Sequence, residues 1–92
     1  MQSQVMIICT IDQKKLPTLL KSRESHLRYI AQNEKNISFA GIVETEADPY
    51  QQIVYFLDVN FEMAQSFIQN DPYFNCFEEV KLLPFSKKIP RS

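Results

Sequence analysis

The chain has 92 residues, 45% of them apolar and 23% charged, a balance that fits one globular domain and argues against a disordered chain. Ten Lys and Arg against 11 Asp and Glu leave a net charge of −1, without the basic footprint of a nucleic-acid binder. The apolar run Val5–Cys9 is far too short to span a bilayer. No basic segment followed by a longer apolar stretch marks a signal peptide, so the chain reads as cytoplasmic, with no membrane or nucleic-acid partner. Two cysteines and one histidine are too few for a disulfide scaffold, a zinc site or a multi-histidine centre. Neither a metal nor a cofactor is expected. The single glycine, Gly41, leaves no phosphate-cradling loop.

Gln4–Thr10 is β-rich and predicts the first strand. Asp12 to Lys15 turns the chain, and Pro17 suits the first position of a helix. Leu20, Arg23, Leu27 and Ile30 then recur at helical spacing. The polar stretch Lys21–Ser25 lets Ser22 cap a restart, so one helix or two short ones satisfy the pattern. Ile37, Phe39 and Val43 alternate with polar or small residues and predict a second strand. Ala47-Asp48-Pro49 is a loop, and residues 51–59 a third strand. Asn60 predicts a helix N-cap, Ala64, Phe67 and Ile68 share that helix's face, and Pro72 is expected to end it. Residues 77–85 form the fourth strand, and Ser86–Ser92 a loose basic tail.

The order β-α-β-β-α-β predicts an α+β, ferredoxin-like fold with a four-stranded antiparallel sheet and the first and third strands at its centre. Val5–Cys9 and Ile53–Leu57 are apolar at every position, the mark of strands buried on both faces. The helices of such a fold cover one face. A second copy of the sheet is the simplest cover for the other, which predicts a homodimer through the open sheet face, a dimeric α/β barrel.

His26 is the one side chain whose ordinary pKa lies near neutrality. It shares a helix side with Arg23 and Ile30, so an Arg and a His flank an apolar stripe. Asp71 follows the second helix, and both helices pack on one sheet face, so Asp71 can approach His26. A carboxylate on one imidazole nitrogen fixes the tautomer and leaves the other free for proton transfer. A boundary histidine and an Asp-Pro turn are the plainer readings of the same residues. Asp48-Pro49-Tyr50 reads as a hairpin turn. Ser22 and Ser25 lie near His26, but no oxyanion loop accompanies them and capping is the better explanation. Cys9 and Cys76 sit at neighbouring strand ends and are read as reduced, buried thiols.

Arg23-Glu24-Ser25-His26-Leu27 resembles the R-x-x-H-L motif of the YciI-like (YCII-related) family. Ala64, Phe67 and Asp71-Pro72-Tyr73 resemble its A-x-x-F/W-x-x-x-D-P-Y/F motif. Val80–Phe85, ending Pro84-Phe85, resembles its closing strand, and Ala40-Gly41 the A-G pair of its second strand. The resemblance covers nearly the whole chain, so residues 1–92 are expected to be a single YciI-like domain. It implies a ferredoxin-like fold dimerising as an α/β barrel, with a His-Asp pair in a cleft as active site. Carried over, the catalytic pair is His26 and Asp71, with Arg23 binding substrate. One branch of the family dehydrochlorinates a chlorinated hydroxyhydroquinone without metal or organic cofactor. The implied function is therefore a small-molecule enzyme using the dyad for acid/base elimination or isomerisation. The alternative is a non-catalytic ligand-binding or interaction module on the same barrel. Three departures fall near the expected cleft. Ile42 stands where a proline often follows A-G, Phe74-Asn75-Cys76 replaces a small pair after D-P-Y, and the hairpin loop lacks its usual glycines.

Overall fold

A computed structural model of the protein describes residues 4–86 together with Lys88 and Ile89. It has strands β1 (Gln4–Ile11), β2 (Ile37–Val43), β3 (Gln52–Leu57) and β4 (Phe77–Phe85), and helices α1 (Leu16–Lys21), α2 (Arg23–Gln32) and α3 (Phe61–Gln69). The strands pair in the order β2-β3-β1-β4, every pair antiparallel. This is the ferredoxin-like α+β fold, with β1 and β3 central. Residues 87 and 90–92 of the expected tail lie outside the described residues. No helix among the described residues is long and apolar enough to cross a membrane.

Strand alternation sorts the sheet into two faces. Val5, Ile7, Cys9 and Ile11 of β1 and Ile53, Tyr55 and Leu57 of β3 are buried beneath the helices, where Leu19, Ala64, Phe67 and Ile68 complete the core. Met6, Ile8, Val54 and Phe56 point the other way and are only half-buried. The cross-strand register adds Phe39 of β2 and Leu83 and Phe85 of β4 to this open face, each more than a third exposed. The run apolar at every position therefore reflects two apolar faces, one of which the chain itself leaves uncovered.

The helical punctuation differs from expectation in two places. Two helices form between β1 and β2, joined at Ser22, but the Ser22 hydroxyl donates back to the Thr18 carbonyl (3.1 Å) instead of capping α2. The α3 start follows the expected chemistry, with Asn60 Oδ1 accepting from the Met63 N–H at 2.8 Å. Its end comes earlier than Pro72 requires. Asn70 is the C-cap, and its side chain donates to the Ser66 carbonyl at 2.8 Å. In β2, a register irregularity between Ile37 and Phe39 breaks the simple alternation. Ile37 pairs with Leu57 toward the core, whereas Phe39 pairs with Phe56 on the open face.

Candidate functional site

α2 and the segment after α3 deliver the central contact. His26 sits one turn into α2, on the side facing the sheet. Asp71 follows the α3 C-cap, its backbone N–H bonded to the Ile68 carbonyl at 3.2 Å. The two side chains meet with His26 Nδ1 2.9 Å from Asp71 Oδ1. His26 is 8% exposed, and the Asp71 side chain is fully shielded from solvent.

A buried carboxylate is costly unless its oxygens are occupied. Here they are. Oδ1 also accepts from the Tyr73 N–H at 2.9 Å, and Oδ2 accepts from the Tyr55 hydroxyl at 3.0 Å. With donors converging on both oxygens, the carboxylate acts as an acceptor and Nδ1 of His26 carries the proton between them. Nε2 is the ring nitrogen with no hydrogen-bond partner among the described residues. Among the described residues, every fully buried side-chain N or O atom has a hydrogen-bond partner.

Tyr73 closes one face of the imidazole. Its ring lies parallel to that of His26, 3.8 Å away at an interplanar angle of 7°. Such a stack contributes about 0.5–1.5 kcal/mol and fixes the ring plane. Asp71 holds one edge of the imidazole and Tyr73 one face, so the Nε2 edge is the open approach. That edge faces a cavity of about 350 Å³, of a size suited to a small organic ligand. Its walls come from α1 (Leu19, Leu20), α2 (Arg23, Leu27, Ile30) and the β2–β3 half of the sheet (Ala40, Ile42, Ile53).

Burial and the nearby negative charge of Asp71 shape the ionisation of this region. Desolvation, then the Asp71 carboxylate, pushes the Tyr55 phenol far up and holds it protonated as a donor. The same two causes push the Cys9 thiol up. Burial raises the Tyr73 phenol, while the Arg23 guanidinium pulls it back down. Cys9 and Cys76 are free and buried. Burial raises the Cys76 thiol too, so both are inert in their protonated form.

His26 and Arg23 line one pocket, and Asp71 meets His26 from behind, outside the pocket lining. Ser25 is exposed, and Ser22 faces the preceding turn. Tyr55, Tyr73 and Tyr50, which spacing does not mark as site residues, all line the cavity. Asp48-Pro49-Tyr50 is a turn, but one whose tyrosine reaches the site. For Tyr55 a signal existed: it is the one hydroxyl among the inward positions of β3. Of the three departures noted above, Ile42 lines the cavity. Phe74 and Asn75 belong to a short 3₁₀ turn, Phe74–Cys76, that borders a different surface depression. The replaced segment therefore leaves the pocket open.

No protein-family model matches the chain. No curated protein matches it in sequence. Solved structures do share its fold. The 5-chloro-2-hydroxyhydroquinone dehydrochlorinase TftG from Burkholderia phenoliruptrix AC1100, in complex with 2,5-dihydroxybenzoquinone, superposes with a TM-score of 0.83 at 14% identity, covering 97% of this chain and 99% of that one. A NIPSNAP family protein from Agrobacterium tumefaciens C58 gives 0.62 at 15% identity, with 99% and 97% covered. An antibiotic biosynthesis monooxygenase-like protein from Nitrosomonas europaea gives 0.56 at 13% identity, with 99% and 94% covered. At these identities the likeness is one of fold. The shared fold is the ferredoxin-like α+β domain.

Proposed function

We propose that the chain is a YciI-like small-molecule enzyme in which His26 is the general acid/base, Asp71 its orienting partner and Arg23 a substrate-binding residue. One observation carries this reading: a histidine locked by a buried, fully hydrogen-bonded carboxylate presents its free nitrogen to a cavity. Nε2 takes a proton from an acidic C–H or O–H of the substrate. The electron pair left behind expels a leaving group from the adjacent carbon, or returns to a proton at another position. These outcomes are elimination and isomerisation. The Asp71 carboxylate stabilises the imidazolium formed on the way, and proton transfer of this kind contributes about 10²–10⁴-fold.

The likeness to TftG supports trying its named substrate class first. The test follows chloride release from 5-chloro-2-hydroxyhydroquinone, together with solvent deuterium incorporation into ring-hydroxylated analogues. Turnover by the wild type is expected to fall about 10²–10⁴-fold in His26→Ala. Equal turnover by both proteins would remove His26 from the chemistry. The second reading is a ligand-binding module, favoured by the largely apolar cavity wall. It predicts ligand binding that survives His26→Ala and no turnover by either protein.

The same proposal includes a homodimer through the open sheet face. Phe56 stacks on Phe39 at 4.3 Å and meets Phe85 edge-on at 5.0 Å. With Met6, Ile8, Val54 and Leu83 they form a continuous apolar face of the kind that marks an interface. A self-complementary two-fold contact between such faces is its simplest partner.

A further inference from the structure

The cavity beside His26 has a divided character. Leu19, Leu20, Leu27, Ile30, Ile42 and Ile53 make most of it an apolar slot. Its polar lining comes from Arg23, His26, Tyr50, Tyr55 and Tyr73. Arg23 lies one helical turn before His26, and the Tyr73 ring is stacked on the imidazole. Tyr73 is 5% exposed, so its little remaining surface belongs to the cavity it lines. Its hydroxyl takes part in no hydrogen bond among the described residues and, since every fully buried side-chain N or O atom there has a partner, it keeps contact with solvent and is free to donate. Arg23 likewise forms no ion pair among the described residues. The Tyr55 hydroxyl, by contrast, is already committed to Asp71.

The charge balance of the cavity is one-sided. No carboxylate lines it: the Asp71 side chain is sealed behind His26, and Glu24 is paired outward with Arg28. What remains is the Arg23 guanidinium, the Tyr73 and Tyr50 phenols and the imidazole, set in an otherwise apolar lining. A neutral hydrocarbon that displaced water from these donors would leave them unmatched, which is costly. A dianion would leave its second charge among leucines and isoleucines. From this geometry we infer that the cavity binds a small aromatic monoanion, a carboxylate or phenolate on one or two rings. Its anionic oxygen is held by the Arg23 guanidinium and the Tyr73 hydroxyl, and its ring lies in the apolar slot. This deepens the enzymatic reading by naming a substrate class, and it rests on the same pocket. It does not depend on proton transfer at His26. Tyr73 thus has two duties: its ring fixes the imidazole plane, and its hydroxyl reads the ligand.

The experiment compares benzoate with its neutral isostere benzamide, by calorimetry and by perturbation of the backbone amide NMR signals of the full chain. Benzoate is expected to bind the wild type at least about 10-fold more tightly than benzamide, the scale of one charge-assisted contact. Arg23→Gln should erase that preference while leaving benzamide binding unchanged. Tyr73→Phe keeps the stacked ring and should weaken benzoate about 3–10-fold, the scale of one hydrogen bond. His26→Ala should still bind benzoate, which separates failure of the catalytic reading from failure of this one. Equal binding of benzoate and benzamide, benzoate affinity untouched by Arg23→Gln, or no benzoate binding at all would overturn the inference.

Discussion

The two faces of the sheet are built from the same strands and carry opposite chemistry. Beneath the helices, inward positions bury a polar network among aliphatic neighbours: Tyr55, Asp71 and His26, joined by contacts of 3.0 and 2.9 Å. On the open side, Phe39, Phe56 and Phe85 cluster with Met6, Ile8, Val54 and Leu83, and the centre of that face is purely apolar. The buried face encloses a carboxylate, an imidazole and a phenol that water would solvate well. The open face contains the groups that water solvates worst. Each inversion points to something the chain alone does not supply. The polar network makes sense if its free edge meets a substrate. The apolar face makes sense if it meets another copy.

The largest effect should come from breaking the network at its centre. Asp71→Ala strands the Tyr55 hydroxyl, the Tyr73 N–H and the His26 Nδ1–H together. Each buried donor left without its partner costs about 1–3 kcal/mol, so the three together should cost several kcal/mol, and chemical denaturation should read that loss. The His26 side-chain ¹⁵N signals should at the same time lose the fixed Nε2-lone-pair tautomer. A cost within about 0.5 kcal/mol, typical of an ordinary surface change, would mean the network is not coupled.

On the other face, Phe56→Asp places a charge at the centre of the aromatic cluster. A carboxylate forced into such an interface should raise the dimer dissociation constant by at least about 100-fold, or about 3 kcal/mol. Sedimentation velocity at micromolar concentration checks it. The expected outcome is a wild-type dimer, a variant monomer and an unchanged His26 tautomer. A wild type that sediments as a monomer would leave the open face without its partner.

Much of this was legible in the sequence, for physical reasons. The chain order of period-two and period-3.6 segments fixes the βαββαβ topology, and the all-apolar runs mark the central strands. His26 and Arg23 could be placed on one helix side by spacing alone. The tyrosines were harder. Tyr50 and Tyr73 reach the cavity from turns, where no periodicity assigns a side-chain direction. Tyr55 lies in a run whose neighbours are all apolar, so alternation gives two phases and only the paired register selects the inward one. The break between Ile37 and Phe39 was likewise invisible, because an irregular strand still looks alternating over a few residues.

Tyr55→Phe is a milder probe of the same comparison. It leaves the aromatic packing against Phe67, at 5.3 Å edge-on, and removes only the donor to Asp71 Oδ2. A buried oxygen left without its partner costs about 1–3 kcal/mol. In the proposed enzyme Tyr55, whose hydroxyl is committed to Asp71, would be a positioning residue. Its loss should lower kcat and leave KM and benzoate affinity nearly unchanged. A change confined to KM would place Tyr55 among the ligand contacts instead.

The smallest effect is set by pH and belongs to the buried face alone. The Cys9 thiol is pushed up by burial and by the Asp71 charge, so the folded state holds its proton more tightly than the unfolded state does. Below the ordinary thiol pKa of about 8.5 both states are protonated, and the contribution to stability is fully present. Above it the unfolded chain releases the proton and the folded chain does not, so stability falls as pH rises. The loss is about 1.4 kcal/mol at pH 9.5. Tyr55 shifts in the same direction and adds its own loss only above its ordinary pKa of about 10. Denaturation at pH 7.5, 9.5 and 10.5 should therefore show the Cys9→Ala protein declining less than wild type over the first interval, and Tyr55→Phe declining less over the second. Phe56→Asp should keep the full wild-type decline, because the centre of the open face holds no thiol or phenol to titrate. Parallel curves for wild type and Cys9→Ala would show that the thiol gains nothing from its place beside Asp71.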